Sequence, residues 1–313
     1  MNPRMSVQSP SAVVMIRPRF FTPNAATAFD NAFQDRSPVL DGHAVATSAY
    51  LEVTNVAGAL SAAGVTVHLF DDETTASPDS VFPNNWFSTH SGGHVAIYPM
   101  HSPSRRGERR DDVIAMLKGS YRVQDVIDYS GLEYDDVFLE GTGAMVLDHV
   151  TRVAYVARSN RADPIALERF CTNFGYEPMV FDAADSSGVA VYHTNVLMCI
   201  ATDFALIGLD LIADPVRRAQ VRDRLSAPGR DIVELSEEQI GHFAGNAIEL
   251  HGEHSRILAL STRALDSLTG GQREMIGRHC EILPLDVATI ERAGGSLRCM
   301  IAGIHLDRRT SAV

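Results

Sequence analysis

A thiol beside a glycine pair stands near the C-terminus: Cys299, in GGSLRCMIAG. The thiolate is the reactive form of cysteine. An adjacent cation (here Arg298), a glycine-exposed backbone and a nearby histidine are the features that would populate it at neutral pH. By itself Cys299 reads more readily as a small buried hydrophobe, as do Cys171 on a helical face, Cys199 inside an apolar run and Cys280 after a helix. His193, in VYHTNV, opens a strand-like run. It is either a core histidine bonded to backbone or a general acid and base. Glu140, in FLEGTG, lies between apolar residues and glycines, where a carboxylate needs a partner or a role. A plain turn glutamate is the competing reading. Asn84 and Asn85 precede Trp86, the only tryptophan, as a polar recognition pair or an Asx turn beside a core anchor. His90, His94 and His101 are loosely grouped, without HExxH or cysteine–histidine zinc spacing, so no metal is expected. GTG and GG are too short for a nucleotide-binding fingerprint, and no cofactor is expected.

The elements that must position these residues alternate along the chain. AVVMIR (12–17) reads as an inner strand turning at Pro18. An Ala-rich helix is expected over 39–63, ended by Gly64, then a strand over 65–70. A strand at 94–99, a helix at 107–118 and a strand at 122–127 follow. VFLEGTGAMVLD (137–148) and TRVAYVARS (151–159) read as strand. DPIALERFCTNFG carries its own punctuation, with Asp163 as cap, Pro164 at the first helical position and Gly175 at the end. A strand follows, PMVFDA. The order then recurs. VYHTNVLMCIATDFALIG reads as a hairpin, DPVRRAQVRDRLS as a helix and DIVELS as a strand. RILALS, TGGQREMIGRHC and EILPLD give strand, helix and strand, and GGSLRCMIAGIHL returns to strand. This is a repeated order of elements rather than of residues. It indicates an α/β class, with the last strand closing against an earlier unit.

Composition bounds the function. With 313 residues, 45% of them hydrophobic, the chain can bury a large core and is read as one catalytic domain over residues 1–313, the first ten or so a flexible tail. A formal net charge of -12 excludes a general nucleic-acid binder. The apolar run after Ser11 ends at Arg17, Pro18 and Arg19, too short for a signal core or membrane span, and no membrane partner is expected. Four cysteines without a CxxC pair read as free thiols in a reducing compartment, hence a cytoplasmic protein. A homo-oligomer is compatible with all of this.

The ordered set DSVFPNNW, FLEGTG, HTNV and GGSLRCM resembles the guanidine-modifying superfamily of arginine deiminases, dimethylarginine dimethylaminohydrolases and amidinotransferases. The resemblance runs from AVVMIRP (12–18) to RCMIAG (298–303) and is nearest the amidinotransferase-related, citrulline utilisation hydrolase branch. It implies a five-bladed α/β propeller, the pentein fold, of ββαβ modules with pseudo-five-fold symmetry. It implies a hydrolase of non-peptide C–N bonds acting on a small amino-acid-like substrate. It also implies roles: Cys299 as nucleophile, His193 as acid and base, Glu140 as catalytic carboxylate, and Arg161 in Ser159-Asn160-Arg161 as a holder of the substrate carboxylate. Arg17 is a further candidate for that carboxylate, at the end of a presumed first inner strand.

Two positions depart from the superfamily. Guanidine-binding members carry an aspartate where this chain has Asn85, after Phe82, Pro83 and Asn84, and another two residues after the histidine, where it has Asn195. An ionised carboxylate only accepts hydrogen bonds, whereas an amide also donates. A guanidinium needs acceptors and negative charge, and a ureido oxygen needs a donor. The expected substrate head is therefore neutral, as in citrulline, whose cleavage gives ornithine, carbon dioxide and ammonia. Asp71, Asp72 or Glu73 would restore the missing charge if they reached the head group, which keeps open an arginine deiminase or dimethylarginine dimethylaminohydrolase activity. An amidinotransferase and a catalytically inactive binding module are the remaining alternatives.

Overall fold

The computed structural model describes residues 6–29, 31–35, 37 and 41–309. Among these described residues, fifteen strands form five three-stranded sheets. The first holds β1 (Ala12–Pro18) and β2 (Thr66–Asp72). The second holds β3 (Phe87–His90), β4 (His94–Ile97) and β5 (Asp125–Asp128). The third holds β6 (Val146–Asp148), β7 (Val153–Ala157) and β8 (Glu177–Phe181). The fourth holds β9 (Met198–Ile200), β10 (Phe204–Ile207) and β11 (Asp231–Glu234). The fifth holds β12 (Ile248–His251), β13 (Arg256–Ser261) and β14 (Glu281–Leu285). The last strand, β15 (Ala302–Gly303), returns to the first sheet and pairs antiparallel with β1.

Each sheet follows one rule. The middle strand is antiparallel to an inner strand and parallel to an outer one, as β4 is to β3 and β5. The parallel pair requires a crossover, and helices supply it: Gly42–Ala62, Asp111–Ser120, Pro164–Phe174, Pro215–Ser226, and in the fifth sheet Thr262–Ser267 with Gly270–Gly277. This is the five-module α/β propeller with pseudo-five-fold arrangement that the recurring order of elements leads one to expect. Burial explains the layering. The middle strands VAYVA and FALI are buried at every residue, as strands covered on both faces must be. The outer strands, such as DVID and DIVE, are exposed at both ends and more buried between.

The helix ends obey local chemistry. Asp163 and Asp214 each accept a hydrogen bond from the second backbone N–H of the helix they precede, with Pro164 and Pro215 at the first position. Gly175 closes the first of these helices at φ 66°, in the left-handed region glycine tolerates. Asp41 caps Gly42–Ala62, which begins later than expected; residues 39 and 40 lie outside those described.

Three expectations need correction. GGSLRCMIAGIHL is a strand only at Ala302–Gly303, and Cys299 sits in the turn before it. There, the N–H groups of Cys299, Met300 and Ile301 reach back to the carbonyls of Ser296, Leu297 and Arg298, a helical pattern that precludes strand pairing. Likewise, Glu140 and His193 precede the short helices Gly141–Ala144 and Thr194–Leu197 instead of lying in strands. Finally, β1 is a middle strand, because β15 takes the inner place in its sheet.

The inner strands β3, β6, β9, β12 and β15 enclose a narrow central channel lined by residues of all five. Of the expected tail, residues 1–5 are not described; at the far mouth of this channel Gln8 Nε2 donates to the Leu147 and Ile200 carbonyls, at 3.0 Å each. Among the described residues, no helix is long and apolar enough to cross a membrane.

Candidate active site

A tight turn leads into each inner strand: Pro83–Asn85, Gly141–Ala144, Thr194–Leu197, and the turns at 242–245 and 297–300. The five turns ring the near mouth of the channel. In or beside them stand Asn85, Glu140, His193 with Asn195, Asn246 and Cys299. Glycine allows two of the turns to touch. Gly141 has φ 44°, and a Cβ there would lie 2.5 Å from the Asn84 carbonyl oxygen. A Cβ on Gly143 would lie 2.9 Å from the His193 ring.

Glu140 is fully buried, and its oxygens are well used. Oε2 accepts from His193 Nε2 at 2.9 Å, Arg161 at 3.2 Å and Arg105 at 3.4 Å. Oε1 accepts from the His101 backbone N–H at 3.1 Å. Burial would push this carboxyl up, but Arg161, the His193 bond and Arg105 outweigh it and hold it well below the usual range. His193 is the converse case. Burial drives it down to about 4 despite the opposing Glu140. The imidazole is therefore neutral at pH 7. Its Nε2–H faces an ionised carboxylate, so Nδ1 is the basic nitrogen.

Arg105 joins Glu140 to a wider cluster. Its guanidinium donates to both oxygens of Glu108 at 2.9 Å and lies 3.6 Å from Asp79. With the Asn85 amide oriented to satisfy its neighbours, its oxygen accepts from both terminal nitrogens of Arg105 at 3.1 Å and its nitrogen donates to Asn84. Burial raises Glu108 to about 7 against the pull of Arg105. Burial also raises Asp79, which accepts from Asn24 at 2.8 Å.

Cys299 is 2% exposed, and two side-chain amides point at its sulfur: Asn195 Nδ2 at 3.2 Å and Asn246 Nδ2 at 3.3 Å. A thiolate accepts such bonds more strongly than a thiol. The other three cysteines are free as well, but burial pushes each of them up to about 12. A tight pocket is lined by Asp79, Asn85, Arg105, Arg161, His193 and Cys299 together.

Of the residues singled out in the sequence, Cys299, His193, Glu140, Asn85, Asn195 and Arg161 therefore converge. Asn84 is buried beneath them, its carbonyl accepting from Thr142 Oγ1 at 3.1 Å. Arg17 does not converge. It pairs with Asp71 of the outer strand β2 at 2.7 Å and lies over the Tyr50 ring of the Gly42–Ala62 helix at 4.4 Å, so its own module holds it. Asp71 and Asp72 end the outer strand β2, Glu73 follows it, and none of the three lines the pocket. Asp79 brings a negative charge there instead. His90 packs among aromatic rings, 4.4 Å from Phe174, and His94 pairs with Asp125. Among the described residues, no group of histidine, cysteine and acid side chains is arranged to hold a metal.

Sequence reasoning missed Asp79, Arg105, Glu108 and Asn246. Asn246 had a signal, since FAGNAIEL places an amide just before an inner strand, as FPNNWFS does. Arg105 had none that sets it apart from Arg106, Arg109 and Arg110.

Solved structures share this fold. The N-terminal domain of ArgZ, an arginine dihydrolase of the ornithine–ammonia cycle in cyanobacteria, matches with TM-score 0.71 and 15% identity over 94% of this chain and 97% of that chain. Unliganded AgrE gives 0.74 and 16% identity over 96% of this chain but only 40% of its own. A dimethylarginine dimethylaminohydrolase variant bearing an S-methyl-L-thiocitrulline adduct gives 0.62 and 16% identity over 94% and 100%. No curated protein matches in sequence. The family model described as "N,N dimethylarginine dimethylhydrolase, eukaryotic" matches residues 17–306. The chain thus belongs to that family, among the guanidino-modifying enzymes, and is a hydrolase of carbon–nitrogen bonds other than peptide bonds that acts on an arginine-related substrate.

Proposed function

We propose that the protein hydrolyses the ureido group of citrulline through a covalent intermediate on Cys299, which sets it on the citrulline utilisation branch, in the cytoplasm. The observation that carries this reading is the setting of the head group. Around Cys299 stand the amides of Asn85 and Asn195, while Glu140 is already shared by Arg105, Arg161 and His193. The cluster is close to neutral. Asp79, Glu108 and Glu140 face Arg105 and Arg161, and Glu108 titrates near neutrality, at about 7. Such a cluster accommodates a zwitterion with an uncharged head: Asp79 toward the α-ammonium, Arg161 and Arg105 toward the α-carboxylate, and the Asn195 side-chain amide toward the ureido group.

In the first step the Cys299 proton passes to His193 Nδ1, and the sulfur forms a bond to the ureido carbon. The C–NH₂ bond then breaks as His193 returns the proton to the leaving ammonia. Glu140 holds the imidazole tautomer and steadies its transient positive charge. In the second step His193 takes a proton from water, whose oxygen displaces the thiolate. The resulting carbamate loses carbon dioxide to give ornithine.

A second reading, a guanidinium substrate such as arginine or a methylated arginine, is favoured by the family match and by Asp79, whose charge lies in the pocket. Ammonia and ornithine release from citrulline, arginine and methylated arginines, with and without an added amine acceptor, separates the readings. We expect kcat/KM for citrulline to exceed that for arginine by about tenfold or more, the equivalent of one charge-assisted hydrogen bond. Turnover should vanish in Cys299→Ala. Faster turnover of a guanidinium would overturn the citrulline reading, and full activity in Cys299→Ala would overturn the covalent one.

A further inference from the structure

We infer that Asn246 is a positioning residue for the nucleophile, holding the turn that bears Cys299 and donating the hydrogen bond that favours its anionic form. The inference rests on Cys299 being the nucleophile but not on which substrate it attacks. Asn246 lies in the turn before β12 and is 0% exposed. Its side chain faces two neighbouring modules at once. Nδ2 donates to the Asn195 carbonyl at 2.8 Å and to Cys299 Sγ at 3.3 Å. Oδ1 accepts from the Arg298 backbone N–H at 3.0 Å, and the Asn246 carbonyl lies 3.3 Å from that same nitrogen. One side chain thus ties the turn of the fourth sheet to the nucleophile turn of the first.

The local backbone is shaped to put it there. Phe243 adopts φ 61°, a left-handed conformation that a bulky residue takes only where the surroundings impose it. Its carbonyl accepts from the Asn246 N–H at 2.8 Å. A Cβ on Gly245 would lie 2.5 Å from the Val196 carbonyl oxygen, so only glycine lets this turn approach the Thr194–Leu197 helix. The sulfur's described hydrogen-bond donors are the two amides, Asn195 and Asn246, while His193 is bonded to Glu140. The amide pair steadies the negative charge on the sulfur as its proton passes to His193.

The test is alkylation of Cys299 by iodoacetamide, in which an S–C bond forms and iodide leaves, followed by mass spectrometry of the Cys299 peptide. Asn246→Ala loses the donor. Asn246→Asp keeps the acceptor for the Arg298 N–H but sets an anion beside the sulfur. At pH 7 we expect alkylation about tenfold slower in Asn246→Ala, and slower still in Asn246→Asp. The gap between the three rates should narrow as pH rises toward about 10. If Asn246→Asp reacts like the unsubstituted protein while Asn246→Ala is slow at every pH, the residue only clamps the turn and the inference fails. Should neither variant fold, the unsubstituted protein decides. A pH profile superposing on that of a free cysteine would overturn the inference, and one displaced to lower pH would uphold it. Since no turnover is needed, the result stands apart from the fate of the citrulline reading.

Discussion

The two mouths of the central channel are built from the same five inner strands yet handle polar groups in opposite ways. At the near mouth, charges share partners. Glu140 serves two arginines and a histidine, and Arg105 faces Glu108, Glu140 and Asp79. At the far mouth, Arg230 donates to both oxygens of the buried Asp148 in a pair of their own. Beside them His149 and His305 stack with ring centroids 3.8 Å apart, and burial holds both down, His305 to about 4. Gln8 closes this end, bonding to two carbonyls and accepting from the His149 N–H at 2.9 Å. Settled pairs and neutral rings make a floor. A shared network keeps hydrogen-bonding capacity for an incoming zwitterion, and it costs more to disturb.

Three measurements bear on that contrast. The largest effect should come from Glu140→Gln, which leaves Arg105 and Arg161 without their shared anion. We expect at least about a hundredfold loss of kcat/KM together with a stability loss of about 3–5 kcal/mol, read from denaturant midpoints. A variant with unchanged stability would mean that the network is not shared in the way described.

Acid should act more gently, and mainly through histidines. His90, His149, His193 and His305 are all depressed by burial. A histidine depressed in the fold contributes stability that is fully present above its unfolded value near 6.5 and is lost as pH falls toward the folded value. For His193 and His305 that folded value is about 4. The melting temperature should therefore drop by several degrees between pH 6.5 and about 4.5. A flat profile across that window would contradict the neutral far mouth.

The smallest effect should be at Gln8→Ala, which removes three hydrogen bonds far from Cys299. A loss of about 1–3 kcal/mol with kcat/KM unchanged is expected. A clear fall in kcat/KM without destabilisation would show that the two mouths are coupled.

The sequence carried much of the site because a few of its residues violate local expectation. Glu140 is a carboxylate where burial needs a partner, and Asn85 and Asn195 are amides where the resemblance to the guanidine-modifying superfamily implies carboxylates. It carried less of the geometry. Arg17 was misplaced because no local pattern distinguishes a middle strand from an inner one when both are apolar. Arg105 was missed because its partners, Asp79, Glu108 and Glu140, lie up to 61 positions apart in the chain, and a guanidinium declares its role only through what it touches.

What the sequence determined by itself was local. Asp-Pro starts and glycine ends set the Pro164–Phe174 helix, runs such as VAYVA set fully buried strands, and the recurring order of elements set the repeated module. These follow from capping, backbone freedom and hydrophobic patterning within a dozen residues. Tertiary structure alone decided which strand of each sheet lines the channel and which residues meet at its mouth. Only closure of the first sheet by β15 carries Cys299 to Asn195 and Asn246, residues 104 and 53 positions away in the chain. Contacts of that span depend on how whole modules stack, and no window of sequence contains that information.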